Sequence, residues 1–159
     1  MSAQVHVPSL LTRAGTATVL TLAAVGGPMI APGSVAEAQA QAVTHSAKAL
    51  KIAASKRGSP YRYGGTGPHR FDCSGLTQYA FKKAGKRLPR TAQQQYNKTR
   101  HISSWHRQRG DLVFFHYGRF VYHVGIYAGK GRIWHSPKSG AVVRLEKIWT
   151  RSVWYGRVR

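Results

Sequence analysis

Cys73 is the only cysteine in the chain, and eight histidines accompany it. A thiol attacks carbonyl carbon as its thiolate. Cys73 follows Asp72 where a helix is predicted to begin. Unpaired backbone N–H groups and the positive end of the helix dipole favour the thiolate there, and the same N–H groups can donate to an oxyanion. A base is also required. His123 lies inside Tyr122–Tyr127, a segment of period two that a sheet would hold rigidly, and His135 on the next predicted strand can reach the same face to orient the first imidazole. These three residues describe a Cys–His–His arrangement spanning helix and sheet. A lone cysteine is also commonly a small buried hydrophobe, and that alternative stays open on spacing alone. His6, His45, His69, His101, His106 and His116 fall in loops, a tail or an exposed helix and are read as solvated.

The elements that must position these groups can be read from periodicity. Thr44 or Ser46 caps a predicted helix running to about Arg57, with Ala47, Leu50 and Ala54 on one side. Gly64-Gly65 and Gly67-Pro68 mark a loop from Pro60 to Arg70. A second helix starts at Asp72 or Ser74, carries the stripe Leu76, Ala80 and Ala84 with Phe81 beside it, and stops at Gly85. A short third helix follows over Thr91–Tyr96, and residues 97–110 are expected to be irregular. From Asp111 the period becomes two. Strands are predicted over 112–115, 122–127, 132–135, 141–147 and 153–158, joined by turns short enough for antiparallel hairpins. Tyr122, Val124 and Ile126 are expected on one face, His123, Gly125 and Tyr127 on the other. Gly125 is expected to leave space for a helix end. Helices first and strands later give an α+β fold, with N-terminal helices packed on an antiparallel sheet of about five strands.

Composition narrows the function classes. The chain has 159 residues, with 25 Lys and Arg against 4 Asp and Glu, a formal net charge of +21. Seventeen Gly and four Trp do not suit a disordered basic tail. One Cys excludes an internal disulfide and a Cys-rich zinc site, and no metal or organic cofactor is implied. Residues 1–42 read as a secretory signal peptide: Arg13, a short apolar core around Val19–Val25, and three overlapping A-x-A patterns from Ala36 to Ala42. Cleavage is expected between Ala38 and Ala42, leaving residues 43–159 as the functional domain. The apolar part is short and broken by Gly26, Gly27 and Pro28, so no stable membrane insertion is expected. An unpaired cysteine in an oxidising compartment is a liability or a tool.

Five stretches carry a family resemblance: Pro60-Tyr61-Arg62-Tyr63-Gly64-Gly65, Phe71-Asp72-Cys73-Ser74-Gly75-Leu76, Gly110-Asp111-Leu112-Val113-Phe114-Phe115, Tyr122-His123-Val124-Gly125-Ile126-Tyr127, and His135. Together they resemble the NlpC/P60 cysteine peptidases of bacterial cell walls, over roughly residues 46–158. The resemblance implies a papain-like α+β core and cleavage of peptide bonds in peptidoglycan stem peptides, typically between γ-linked D-glutamate and a diamino acid. It implies Cys73 as nucleophile, His123 as base and later acid, and His135 as orienter. It implies that Tyr61 lines the site near the oxyanion. Asp72 and Ser74 match positions that bind a free L-Ala amine in some members, and Asp111 matches a structural turn. A carboxylate beside the nucleophile opposes thiolate formation, which makes sense for Asp72 if a cation such as a substrate ammonium partners it. Helix capping alone also accounts for this residue.

The signal peptide and the resemblance together imply a secreted cell-wall protein acting on peptidoglycan stem peptides, and a monomer is expected. Its basic surface is expected to hold it on anionic wall polymers. A competing class is a catalytically inactive basic module that binds anionic wall polymer or nucleic acid. Lys82-Lys83, Lys86-Arg87 and Arg107-Gln108-Arg109 near aromatic residues suit such a surface. A secretory signal argues against a specific nucleic-acid role.

Overall fold

The computed structural model describes residues 32–159. Three helices precede an antiparallel sheet: α1 (Pro32–Ser55), α2 (Cys73–Lys83) and α3 (Ala92–Lys98), then β1 (Arg100–Ile102), β2 (Leu112–Tyr117), β3 (Phe120–Gly129), β4 (Arg132–His135), β5 (Arg144–Lys147) and β6 (Val153–Arg157). The six strands are ordered β1-β6-β2-β3-β4-β5, so β2 and β3 are central and β5 closes one edge. This is the α+β layering expected from the switch of period near Asp111.

The apolar stripe of α2 explains its place. Leu76, Ala80 and Phe81 are fully buried and Ala84 nearly so; they share one core with Ala49, Ala53, Phe114, Val124 and Ile126. The helix ends as its sequence dictates. Gly85 takes a left-handed φ of 94°. Its N–H donates to the Lys82 carbonyl and that of Lys86 to the Phe81 carbonyl, the paired bonds of a Schellman stop. On the opposite face Val113, Phe115, Tyr127 and Ile133 form a second cluster. At the sheet's far side Asp111 is 1% exposed and Arg157 grips it through two 2.8 Å bonds. That pairing makes Asp111 a structural anchor between the loop before β2 and the last strand.

Five local expectations are corrected. α1 begins at Pro32 rather than near Thr44, because the alanine-rich run before Thr44 is itself a good helix former. The segment expected to be irregular contains β1, which pairs with β6 and raises the strand count to six. Residues 141–143 do not extend β5. They bond instead to the loop before α2: the Tyr61 N–H to the Ala141 carbonyl at 2.9 Å and the Val143 N–H to the Ser59 carbonyl at 2.8 Å. Tyr122 does not share a face with Val124. Phe115 pairs with His123 and His116 with Val121, so Tyr122 is the extra residue of a β-bulge. Its ring packs with the Phe115 cluster on the His123 side; bulges re-aim side chains in this way. Finally, four of the histidines read as solvated have partners: His45 donates to the Ala84 carbonyl, His106 bonds to the Ser103 hydroxyl at 2.7 Å, and His116 and the still exposed His101 stack on Trp154 and Tyr96.

The apolar part of the expected signal peptide lies outside the described residues. Residues 36–41 of α1 are exposed, and burial begins at Ala42 and Ser46. No helix among the described residues is long and apolar enough to cross a membrane.

Candidate active site

Asp72 caps α2, accepting the Gly75 N–H on Oδ1 at 2.7 Å. Cys73 is therefore the first residue of the helix, with the first-turn amides beside it. The loop before α2 is locked to this turn. The Asp72 N–H donates to the Gly65 carbonyl at 2.9 Å, and the Gly64 N–H donates to Asp72 Oδ2 at 2.9 Å. The approach is so close that a Cβ on Gly75 would stand 1.9 Å from the Gly65 oxygen. This contact carries Tyr61, at the start of the loop, to the nucleophile.

Cys73, Tyr61, Tyr122, His123, His135 and Trp149 line one open cleft of about 440 Å³, with Lys138 and Arg144 at its rim. The structure thus brings together all three residues of the Cys–His–His expectation. Cys73 is half-buried and its thiol is free. His123 Nε2 lies 2.9 Å from His135 Nδ1, buried from solvent. His135 Nε2 in turn lies 2.9 Å from Glu146 Oε2, and Arg144 Nε donates to the same oxygen at 2.8 Å. Gly125 makes this possible, though for a different reason from the one expected. A Cβ there would meet Ile133 Cδ1 at 2.8 Å and His135 Cβ at 3.2 Å, so the space serves the neighbouring strand rather than a helix end. Trp149 stacks on Phe115 with centroids 4.1 Å apart and faces both imidazoles, at 5.7 Å and 5.5 Å.

Asp72 has a cation of its own. Arg90 Nη1 donates to Oδ1 at 3.1 Å and to Ser74 Oγ at 3.0 Å, and Arg90 Nη2 pairs with Oδ2. Ser74 Oγ donates to Oδ1 at 3.3 Å. Asp72 and Ser74 are both buried, so the carboxylate is saturated by donors of the chain itself.

Burial dominates the proton affinities. It pushes the Cys73 thiol up, with the Asp72 charge adding to the effect; the Val124 and Ser74 amides and the Ser74 hydroxyl oppose it. Burial, and then His135, pushes His123 down to about 3. His135 is also lowered by burial, against the pull of Glu146. Desolvation penalises whichever form is charged. Burial thus disfavours both charged forms and works against the thiolate that the helix terminus favours. Tyr61 is raised by burial and then by the charges of Cys73 and Asp72, which keeps its hydroxyl protonated and able to donate.

The NlpC/P60 family model matches residues 58–158. The chain belongs to the NlpC/P60 family. Among curated relatives, it is 50% identical over 95 residues to the bifunctional muramidase/DL-endopeptidase CwlT of Bacillus subtilis, covering 57% of this chain and 29% of that protein. It is 45% identical over 105 residues to a probable endopeptidase of Corynebacterium glutamicum, covering 65% of this chain and 49% of that one. It therefore spans less than half the length of either relative. Among solved structures, the P60 domain of an M. avium subspecies paratuberculosis antigen aligns with a TM-score of 0.66 at 30% identity, over 73% of this chain and 96% of that one. RipD of Mycobacterium tuberculosis, described as a non-catalytic NlpC/p60 domain protein adapted to peptidoglycan binding, aligns with a TM-score of 0.64 at 28% identity, over 72% and 98%.

Within this NlpC/P60 domain, sequence reasoning missed Arg90, Glu146 and Trp149. Arg90 precedes the α3 cap and Trp149 sits in a loop, where periodicity carries no signal. Glu146 had one available clue: only four acidic residues exist in the chain, and an acid kept against so strong a basic bias invites the search for a partner.

Proposed function

We propose that this protein is a secreted cysteine peptidase that cuts peptide bonds within peptidoglycan stem peptides, with the γ-D-glutamyl–diamino acid bond as its target. The observation that carries this reading is the shared cleft of Cys73, His123 and His135, with the 2.9 Å contact between the two imidazoles. Cys73 Sγ attacks the scissile carbonyl while His123 takes its proton. Because burial disfavours both charged forms, transfer accompanies attack rather than preceding it. In this reading the Cys73 amide at the start of α2 and the Tyr61 hydroxyl donate to the oxyanion. His123 then protonates the leaving amine, leaving an acyl-thioester. A water that gives its proton to His123 releases the acid product and restores the thiol.

Asp72 and Ser74 are buried and do not line the cleft. Their saturation by Arg90 and the loop amides removes the need for a substrate ammonium, which favours cleavage inside a stem whose L-Ala amine is not free. Lys138 and Arg144 at the rim suit the carboxylates of a stem peptide. Secretion rests on residues 1–42. The expected cleavage range overlaps the exposed residues 36–41 of α1. The positive charge favours retention on anionic wall polymer, and Arg100 and Arg107 beside the exposed Trp105 offer such a polymer cations.

The likeness to RipD supports a second reading, a non-catalytic peptidoglycan-binding domain. Wild type and Cys73→Ala compared on muropeptides separate the two, with products identified by mass. New stem fragments from wild type alone bear out the peptidase; identical product profiles leave only the binding domain.

A further inference from the structure

Glu146 completes a proton-ordering chain behind the nucleophile. In β5 it pairs in register with Ile133 of β4, while Arg144 pairs with His135. From there its Oε2 reaches His135 Nε2 at 2.9 Å. A carboxylate only accepts, so His135 must carry its proton on Nε2. A neutral imidazole protonated at Nε2 has a bare Nδ1, and that nitrogen lies 2.9 Å from His123 Nε2. His123 must then donate from Nε2, and its Nδ1 is the ring nitrogen left bare to accept the Cys73 proton. The opposite ordering fails at both ends: it sets the lone pair of His135 Nε2 against a carboxylate, and it puts a proton on His123 Nδ1, where a base is needed.

The remaining charges around His135 maintain this order. Arg144 shares the Glu146 oxygen at 2.8 Å and, with His135, holds Glu146 below the usual carboxylate range. Lys138 and the Cys73 and Tyr61 groups also border the cleft. Glu146 is the acidic residue among its lining groups.

We propose that Glu146 is a positioning residue for the Cys73–His123–His135 site: by accepting the His135 Nε2–H it sets the tautomer of both imidazoles and leaves His123 Nδ1 free to take the thiol proton. Its link to catalysis rests on the peptidase reading above; its effect on the rings does not.

The test uses the full chain with 15N-labelled histidine, as wild type, Glu146→Ala and Glu146→Gln. Long-range 1H–15N spectra at neutral pH read the tautomers, and kcat and KM are measured on a muropeptide. Wild type is expected to show Nε2–H on both rings. Glu146→Ala is expected to mix the tautomers of His135 and lower kcat by about tenfold at little change in KM, a fraction of the ~10²–10⁴ that a general base contributes. Glu146→Gln, whose amide oxygen still accepts, is expected to recover the ring spectrum and most of kcat. Unmixed tautomers in Glu146→Ala overturn the proposal, as does Nδ1–H on wild-type His123, or a Gln variant no better than Ala in both readouts. Ring spectra that respond as expected in a protein with no peptidase activity sustain the tautomer role and sink the peptidase reading instead.

Discussion

Arg90 Nη1 lies 3.1 Å from Asp72 Oδ1, with Nη2 on the other carboxylate oxygen. This pairing eases the cost of placing an acid next to a nucleophilic thiol, though Asp72 still pushes Cys73 up. The carboxylate caps α2 and braces the Tyr61 loop, and Arg90 offsets its field at Cys73. Because Arg90 is partly exposed, its value lies in local charge balance more than in stability.

Arg90→Ala should therefore raise the Cys73 pKa further and slow alkylation by iodoacetamide at neutral pH. Asp72→Asn, which removes the negative charge, should speed it. Rates taken across a pH series report the thiolate directly. Equal profiles in the two variants would show that neither charge acts on the sulfur.

Acid should destabilise the fold through the same site. His123 falls from 6.5 to about 3 on folding and His135 moves the same way. Between those pH values the unfolded chain binds a proton that the native chain excludes, so stability is full above about pH 6.5 and declines as pH falls toward 3. Glu146, ionised more readily in the native state, adds loss in the same direction at the acid end. Melting temperatures measured stepwise from neutral to acid pH should fall, and less steeply in His123→Gln. A slope unchanged by that substitution would locate the acid sensitivity elsewhere.

Gly75→Ala should cost about 3 kcal/mol, the upper end for overpacking, because its Cβ meets a backbone oxygen at 1.9 Å rather than a flexible side chain. The loop from Pro60 to Phe71 must retreat, taking Tyr61 from the cleft. Urea unfolding and muropeptide turnover should decline together. Unchanged stability would mean that the loop gives way freely and does not brace Cys73.

Retention on isolated cell walls should be lost in about 0.5 M salt, where the screening length shrinks to a few ångströms. Sedimentation with walls at low and high salt measures it. Binding that ignores salt would assign wall contact to the cleft instead of the +21 charge.

Local pattern revealed much of this molecule because the signals involved are short-range. The α2 stripe, its Gly85 stop, the Asp72 cap and the change of period at Asp111 each depend on residues a few positions apart, and each appears where the sequence places it. The early start of α1 was legible in principle from its alanines; signal-peptide features occupied the same residues and drew the boundary elsewhere. The strand β1 was not legible, because the three residues Arg100-His101-Ile102 are too few to show a period and become a strand only by bonding to β6.

Residue type, strand periodicity and the family resemblance together nominated Cys73, His123 and His135. Tertiary structure decided what surrounds them. Arg90 reaches Asp72, Glu146 reaches His135, and a bulge turns Tyr122 into the cleft, all through contacts between separate elements that no spacing along the chain encodes. Burial is likewise a property of the assembled fold, and it is burial that pushes the thiol up and the imidazole down.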